Sequence, residues 1–402
     1  MLSVNQALEK ILACGAALNR TENVFLVNAL DRVLTTDYLA PIDVPPADNS
    51  AMDGYAIFTG DLNNPTNKLF VSQRIPAGSV PEALKPGTAA RIFTGGVIPE
   101  GANAVVIQEN TGTEGDSVLI QCGVNPGDNI RPKGQDVKCG STLFKKGHTL
   151  RPQDIGLLAS CGIAELKVFQ RPTVAIIATG NELREPGKAL GPGQIYNSNK
   201  HMLTALLQKA GVDIYTPEGI VKDSLDATIA ALKNCANHAD LIISTGGVSV
   251  GDEDYIKPAV EKTGEIHNWK VKLKPGKPLV FGKVENALFL GLPGNPVSSF
   301  VTFLLFAMPL IRKLSGTPLT TVKPQAVPLA FDIEKPAQRP EFMRVFVGQN
   351  GAERYANQSS GVLASTTWAN ALAYIPEDTV LRKGDYVDIY FINDLMNKVT
   401  TS

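Results

Sequence analysis

The sequence predicts a multidomain α/β and β protein, with a central doubly wound α/β domain between β-rich flanks. The chain has 402 residues, more than one ordinary core accommodates. Its middle part alternates short apolar runs with amphipathic helical stretches, whereas both flanks are rich in short strands and turns. Hydrophobic residues make up 44% and charged residues 19%, which is the balance of a folded protein and not of a disordered one.

The N-terminal part predicts a helix, a linker layer and a β domain. Met1–Leu12 has the pattern of an amphipathic helix start with Ser3 as a candidate cap, and it lacks the basic and apolar regions of a signal peptide. From Pro41 to Asp136, proline and glycine separate short apolar runs, as in a small β domain. We expect the flanking segments Glu22–Ala40 and Lys138–Gln170 to pair as a linker layer.

The central part predicts a βαβ arrangement. Four short apolar runs are typical of buried strands in a parallel sheet: Thr173–Ala178, Asp240–Ser244, Leu279–Gly282 and Ala287–Leu290. A helix follows Ser198, the candidate N-cap, and stops at Gly211. A short strand at Val212–Tyr215 and a second helix at Leu225–Cys235 continue the alternation. A doubly wound sheet is the expected outcome.

The remaining segments predict a C-terminal β domain and no membrane span. From Thr317 the chain is strand-rich, with a last strand pair at Val380–Ile392 around Lys383–Gly384. The apolar run Val297–Leu310 is shorter than the roughly 20 residues a bilayer needs, so we expect a buried helix there. The predicted domains are 1–45 with 138–170 (helix and linker), 46–137 (β), 171–316 (α/β) and 317–402 (β).

Charge, cysteine and histidine usage exclude several functions. The formal net charge of -1 disfavours nucleic-acid binding. The five cysteines are odd in number and scattered, with no C-x-x-C spacing, which favours a reducing, cytoplasmic location over disulfides or a zinc site. The four histidines do not pair at helical spacing. Catalysis is therefore expected to depend on carboxylates, lysines and backbone amides.

Three glycine-rich loops follow predicted strands, at Thr179–Leu183, Ser244–Asp254 and Gly291–Pro296. In an open α/β sheet such loops converge on the ligand crevice, where glycine lets backbone amides approach an anion. Each loop alone could equally be a simple turn. Three on one sheet together predict a phosphate or oxyanion site.

Acids and lysines accompany these loops. Asp252, Glu253 and Asp254 would suit Mg²⁺ beside a phosphate, with Glu182 and Asp223 in the same crevice; a solvated acidic turn is the alternative. Lysines flank a stiff Pro-Gly turn in the run Lys272–Pro278, as in a phosphate site or in a surface hairpin. In the β domain, Asp48–Ala56 and Arg131–Asp136 are acidic stretches that could also be plain turns.

Several of these strings resemble the molybdopterin molybdenumtransferase (MoeA) family, which includes the E domain of gephyrin and its plant counterpart. They are PIDVPPADNSAMDGYA (Pro41–Ala56), RIFTGGVIPEGANAVVIQE (Arg91–Glu109), ISTGGVSVGDEDY (Ile243–Tyr255), KLKPGKPLVFGK (Lys272–Lys283) and GLPGNPVSSFVTF (Gly291–Phe303). The resemblance covers nearly the whole chain in the family's order.

The resemblance implies an elongated four-domain subunit that dimerises, with a molybdopterin-binding α/β domain and a C-terminal β-barrel-like domain. It implies a Mg²⁺-dependent reaction of adenylylated molybdopterin with molybdate that releases AMP and molybdenum cofactor. It places the active site between the α/β domain of one subunit and the β domain of the other. Molybdopterin adenylyltransferase and molybdoenzyme acceptors are the implied partners, with no nucleic acid and no membrane.

The resemblance also implies residue roles. The implied catalytic residues are Asp53 and Asp136 across the dimer, and Glu182, Asp223, Asp254, Lys274 and Lys277, of which Glu182, Asp223 and Asp254 would hold the metal. The implied pterin-, phosphate- and molybdate-binding residues are Thr179, Gly180, Ser244, Gly246, Gly247, Ser249, Gly251, Pro275, Gly276, Pro293, Gly294, Asn295, Ser298, Arg344 and Ser360.

Two departures from the family pattern remove charges. Asn181 stands where the family often has aspartate, and Gln135 replaces a common carboxylate beside Asp136. Two alternative functions stay open. One is molybdopterin adenylyltransferase, whose domain shares the TGG-type loop, and the other is a gephyrin-like scaffold. The DNSAMDG domain argues against the first, and the lack of a fused second domain argues against the second.

Overall fold

The computed structural model describes residues 1–63, 66–247, 255–318 and 321–396. The first part of the chain contains, in order, α1 (Val4–Cys14), β1 (Thr21–Phe25), β2 (Tyr38–Leu39), β3 (Asn49–Ser50), β4 (Gly54–Ile57), β5 (Lys68–Ile75), β6 (Thr88–Ile92), β7 (Ala104–Ile107), β8 (Thr111–Glu114), β9 (Ser117–Ile120), β10 (Ile130–Arg131), β11 (Thr142–Phe144), α2 (Pro152–Ser160) and β12 (Glu165–Phe169). Single 3-10 turns lie at Leu26–Asn28, Thr59–Asn63 and Gln108–Asn110.

Helix α1 begins with a capping box. The Ser3 hydroxyl accepts the Gln6 backbone N–H at 3.2 Å, and the Gln6 side chain accepts the Ser3 N–H at 3.0 Å. This reciprocal pair satisfies two amides that a helix start leaves without partners. The predicted helix and its cap are confirmed.

The linker layer forms from two distant segments, as the sequence predicts. Strand β1 pairs with β12, and β2 pairs with β11, both antiparallel. A compact core beneath them contains Leu34, Leu150, Leu158 and Val168. Between the two segments lies the β domain, whose sheet has the strand order β7-β4-β6-β5-β9-β8.

The central domain contains β13 (Thr173–Ala178), β14 (Leu183–Arg184), β15 (Ile195–Tyr196), α3 (Ser198–Ala210), β16 (Asp213–Tyr215), α4 (Leu225–Ala236), β17 (Leu241–Thr245), α5 (Ile256–Thr263), β18 (Gly264–Lys270), β19 (Pro278–Val284), β20 (Ala287–Leu292), α6 (Pro296–Thr302), a π-helical turn (Phe303–Ala307) and α7 (Met308–Leu314). Its sheet has the order β16-β13-β17-β20-β19-β18.

This sheet is mixed rather than wholly parallel. Strands β13, β17 and β20 run parallel to one another, but β19 is antiparallel to both β20 and β18. The prediction that Leu279–Gly282 belongs to a parallel run is therefore wrong. The two-residue turn between β19 and β20 leaves no room for a crossover helix, so the two strands form a hairpin. Apolar clusters cover both faces of the sheet, as in a doubly wound fold.

Two helix boundaries in this domain differ from the predictions. Asn197, not Ser198, caps α3, because its side chain accepts the Lys200 N–H. Gly211 ends the helix in the left-handed conformation, as predicted. The buried helix predicted at Val297–Leu310 extends over Pro296–Leu314. It is long and apolar enough to cross a membrane, but 89% of its most apolar 18-residue stretch is buried inside the protein, as in a core helix.

The C-terminal domain contains β21 (Gln325–Pro328), β22 (Glu341–Gly348), β23 (Gly351–Arg354), α8 (Ala364–Trp368), β24 (Ala371–Ile375), β25 (Tyr386–Phe391) and α9 (Ile392–Met396). Its antiparallel sheet has the order β21-β25-β24-β22-β23. The predicted strand pair at Val380–Ile392 is wrong. Leu381 forms only an isolated bridge with Ile333, and β25 pairs instead with β21 and β24.

Candidate functional site

A cleft of about 500 Å³ lies where the central and C-terminal domains meet. Five parts of the chain line it: the loop after β17, the turn before β19, the loop after β20 with the start of α6, Arg339 just before β22, and the segment Gln358–Ser360. The lining residues are Gly246, Gly247, Lys274, Pro275, Gly276, Lys277, Pro278, Pro293, Gly294, Asn295, Ser298, Arg339, Gln358, Ser359 and Ser360.

The glycine-rich loops lie side by side because β13, β17 and β20 are neighbouring parallel strands. A Cβ added at Gly294 would lie 3.6 Å from the Gly246 Cα, and one added at Gly246 would lie 4.0 Å from the Thr179 carbonyl oxygen. The loops after β17 and β20 are thus in close backbone contact, and both reach the cleft.

The turn before β19 places two lysines at the cleft. Lys274 is half exposed, and its Nζ lies 2.9 Å from Oε2 of Glu341, a side chain that is only 4% exposed. The turn is tied to the C-terminal domain because the Lys274 N–H donates to the Pro340 carbonyl at 2.9 Å. Lys277 also lines the cleft and completes a pair of cations around the Pro-Gly turn.

Arg339, rather than Arg344, brings a guanidinium group to the cleft. Arg339 lines it and donates from Nη1 to the Leu273 carbonyl at 3.0 Å. Arg344 was expected to contact the ligand, but it is completely buried, and burial lowers the pKa of its guanidinium. Its Nε donates to the Ser365 hydroxyl at 3.1 Å. Arg344 therefore lies behind the cleft wall.

The serine segment of the C-terminal domain is held from two sides. Arg344 Nη2 donates to the Ser359 carbonyl at 3.1 Å, and the Gln358 amide exchanges hydrogen bonds with the Arg344 backbone at 2.9 and 3.0 Å. On the other side, the Val297 N–H at the start of α6 donates to the Ser360 carbonyl at 3.0 Å. These bonds fix Ser359 and Ser360 opposite the loop after β20.

The predicted acidic crevice is only partly described. Asp223 accepts the Asn181 backbone N–H at 2.8 Å, so the loops that carry Glu182 and Asp223 are adjacent. Neither acid lines the cleft, and neither do Thr179 and Gly180. Ser244 does not line the cleft either, because it is buried at the end of β17.

The predicted metal site depends on residues that the structure does not cover. Ser249, Gly251 and Asp254 lie outside the described residues. Within the described part of the chain, no group of three or more His, Cys, Asp or Glu side chains could hold a metal ion. Glu182 and Asp223 supply two candidate oxygen donors.

The two acidic stretches of the β domain lie together. Strand β3 pairs with β10, and the Asp136 N–H donates to the Val44 carbonyl at 3.0 Å. Asp53 accepts both the backbone N–H and the hydroxyl of Thr94, at 2.8 and 2.7 Å. The backbone hydrogen bond from Thr94 is the main cause that lowers the pKa of Asp53, so this carboxylate is ionised at neutral pH. Neither Asp53 nor Asp136 lines the cleft of its own chain.

Sequence reasoning missed Arg339, Gln358 and Ser359 as lining residues. All three belong to the short strings RPEFMR (Arg339–Arg344) and NQSS (Asn357–Ser360), which also contain the predicted residues Arg344 and Ser360. The available signal was the position of Arg339 directly before a proline, outside the following strand. Side chains at such positions face solvent more often than those inside a buried strand.

Three family models match the chain in consecutive order. They are described as the MoeA N-terminal region (domains I and II) over residues 2–162, a probable molybdopterin-binding domain over residues 175–313, and the MoeA C-terminal region (domain IV) over residues 326–392. The second match contains both glycine-rich loops of the cleft, and the third contains Arg339 and the serine segment.

Curated relatives and solved structures agree with these matches. The chain is 38% identical to the molybdopterin molybdenumtransferase of Haemophilus influenzae, over 91% of each chain. It is 38% identical to molybdopterin molybdenumtransferase 2 of Mycobacterium tuberculosis, over 93% of this chain and 96% of that one. A crystal structure of the molybdopterin biosynthesis MoeA protein of Pyrococcus horikoshii superposes with a TM-score of 0.83 at 30% identity, over 97% of this chain and 99% of that one.

Proposed function

This chain belongs to the MoeA family of molybdopterin molybdenumtransferases, and we propose that it inserts molybdenum from molybdate into adenylylated molybdopterin. In this reaction AMP is released and molybdenum cofactor is formed. Its assignment as a transferase of molybdenum cofactor biosynthesis follows from relatives named molybdopterin molybdenumtransferase that align over nearly the whole chain.

The charge of the cleft is the observation that carries the proposal. Among the described residues that line it, three are ionisable, Lys274, Lys277 and Arg339, and all three are cations. Molybdate is a tetrahedral dianion, like phosphate in shape, and lysine and arginine are the side chains that proteins use for such anions. The cleft thus has the charge that molybdate requires.

Neutral groups in the cleft are placed where they can orient the same anion. Ser298, Ser359 and Ser360 carry hydroxyls, and Gly246 and Gly294 lie where backbone amides can approach a ligand closely. Groups held in place before the ligand arrives need no reorganisation when charge develops in the transition state. We therefore assign to these residues the positioning of molybdate beside the dithiolene and the phosphoanhydride.

A requirement for Mg²⁺ is part of the proposal. Glu182 and Asp223 lie on adjacent loops and offer oxygen donors, which Mg²⁺ prefers. A third donor, Asp254, lies outside the described residues. The bound ion would withdraw negative charge from the phosphoanhydride. Chelation should abolish AMP release, and added Mg²⁺ should restore it; unchanged release after chelation would reject this requirement.

The test is molybdate-dependent AMP release from adenylylated molybdopterin by Lys274→Ala and Lys277→Ala. Each variant loses one charge next to the proposed anion, so we expect a loss on the order of a hundredfold in rate. Lys272→Ala is the matched control. Lys272 lies two residues before Lys274 with a similar exposure, 42% against 48%, but it pairs with Glu377 and does not line the cleft. Near-normal turnover by both cleft variants, or an equal loss in the control, would contradict the assignment.

A homodimer is the second part of the proposal. The stretches that carry Asp53 and Asp136 are joined through the β3–β10 pair, and neither acid lines the cleft of its own chain, as expected if both serve the cleft of a partner. Mixing inactive Asp53→Asn with inactive Lys274→Ala should then restore activity. After random pairing, about half of the dimers are heterodimers, and each of these has one intact site out of two. The expected activity is therefore roughly a quarter of that of wild type. No restoration after subunit exchange would reject the shared site. Transfer from an adenylyltransferase and to molybdoenzyme acceptors stays a prediction.

A further inference from the structure

Glu341 is a buried acid that contacts a lysine of the cationic cleft. Its Oε2 accepts a hydrogen bond from Lys274 Nζ at 2.9 Å, and its side chain is 4% exposed. Its Oε1 is buried and has no hydrogen-bond partner among the residues that the structure describes. A buried carboxylate normally satisfies both oxygens, and here Lys274 supplies the hydrogen bond to one of them. The buried guanidinium of Arg344 is a second favourable charge near Glu341.

The backbone holds this carboxylate in place. The Phe342 N–H donates to the Lys274 carbonyl at 2.8 Å, and the Lys274 N–H donates to the Pro340 carbonyl at 2.9 Å. Together they make a parallel bridge between Lys274 and Glu341. Because Glu341 is buried at the start of β22, its carboxylate cannot follow the lysine into the cleft. The lysine side chain, half exposed, is the mobile partner.

The ammonium group of Lys274 therefore has two competing acceptors. It carries three N–H donors, one of which Glu341 occupies. An oxyanion in the cleft would take the others and would lie on the opposite side of the same ammonium. The Glu341 carboxylate and the bound oxyanion are both negative, with only the ammonium group between them. They repel each other in a partly buried site, where the effective dielectric constant is well below that of water. The carboxylate thus weakens the attraction that the three cations exert.

We propose that Glu341 is a positioning residue that acts through Lys274 and limits the affinity of the cleft for its tetrahedral dianion. It holds the ammonium at the cleft when no ligand is bound, and it offsets one positive charge so that the bound anion can leave. This inference rests on the proposed function, since it assumes that the cleft binds molybdate.

The experiment measures the dissociation constant of molybdate for wild type, Glu341→Gln and Glu341→Asp by isothermal titration calorimetry. The glutamine variant keeps an oxygen that accepts from Lys274 but removes the charge. We expect it to bind molybdate more tightly, by up to about tenfold. The aspartate variant keeps the charge and should not bind more tightly than wild type. A merely structural role would give weaker binding in both variants and no tightening in either.

Glu377→Gln is the control, because Glu377 also pairs with a neighbouring lysine, Lys272, at 3.1 Å, but outside the cleft and at a more exposed position. Its dissociation constant for molybdate should equal that of wild type. Melting temperatures show whether each variant folds. If Glu341→Gln does not fold, Glu341→Met takes its place, because an apolar side chain can substitute for a buried ion.

Three results would overturn the inference: unchanged or weaker binding by the uncharged variant, tightening in the aspartate variant as well, or equal tightening in the control. If wild type binds molybdate and Glu341→Gln does not bind it more tightly, only this inference is rejected and the proposed function stands. Wild type that binds no molybdate would reject the proposed function and the inference with it.

Discussion

At Gly276 the backbone has a φ of +112°, a conformation that side chains rarely adopt. A Cβ there would lie 2.6 Å from Cγ2 of Thr302, the buried last residue of α6. Gly276 is therefore the residue that lets the Lys274–Lys277 turn lie against that helix. Both the backbone conformation and the contact require glycine.

Gly276→Ala should lower the free energy of unfolding by about 2–4 kcal/mol, from backbone strain plus the clash. It should also weaken molybdate binding, because the two lysines shift with the turn. Denaturant unfolding and calorimetric titration check the two effects.

Gly78→Ala is the control for strain alone. Gly78 has a φ of +83°, but an added Cβ would meet no atom within 4 Å. We expect the cost of strain, about 1 kcal/mol, and unchanged binding. Equal effects of the two substitutions would show that the contact with Thr302 contributes nothing.

The two arginines of RPEFMR, Arg339 and Arg344, show what the sequence alone could not predict, namely which of them lines the cleft. The sequence shows two cations five positions apart. Alternation cannot separate them, because the first five residues of β22 are all buried. Burial on both faces of a strand depends on how the C-terminal domain packs against the rest of the chain, which no local pattern encodes.

At the scale of elements, α2 is anchored by a buried carboxylate in the linker layer. Asp154 accepts from Arg151 at 2.9 Å and from His148 at 2.7 Å. Burial raises the pKa of Asp154, but the hydrogen bonds and charges of Arg151 and His148 lower it by more, so the net pKa lies below the ordinary 3.8.

A depressed pKa in the folded state makes this contribution pH-dependent. It is fully present above pH 3.8, the ordinary pKa, and is lost as pH falls through the lower folded-state pKa. Asp154→Asn should therefore cost about 2 kcal/mol of unfolding free energy at neutral pH, and this cost should shrink in acid. Glu114→Gln, which breaks an exposed pair with Lys68, should change the free energy of unfolding little, because solvent screens charges at the surface. A cost of Asp154→Asn that does not change with pH would contradict the account.

Strong local signals predicted elements correctly, and weak ones did not. The helix at Ser3 and the stop at Gly211 follow from capping chemistry, which is local. The antiparallel direction of β19 follows from its two-residue turn to β20, whereas the strand Tyr386–Phe391 pairs with β21, which is distant in the chain. Apolar runs in the sequence give the burial of a strand but not its direction or its neighbours.

At the scale of the whole molecule, the cleft exists because three distant segments meet. Gly246, Lys274 and Ser360 belong to three separate parts of the sequence, and local patterns cannot relate these parts to one another. The sequence predicted the glycine-rich loops and the lysine turn as separate anion-binding features. The juxtaposition with Arg339, and the buried Glu341 beneath it, depend on the docking of the C-terminal domain. That docking follows from packing over the entire chain.

The most direct test of the central claim locates the oxyanion itself. Crystals grown without sulfate or phosphate are soaked in tungstate, a heavier tetrahedral dianion, and anomalous scattering marks the tungsten. The account predicts one strong peak within hydrogen-bond reach of Lys274 Nζ and Lys277 Nζ, and its loss in the double variant Lys274→Ala/Lys277→Ala. No peak in the cleft of wild type, or a peak that persists in the double variant, would contradict it.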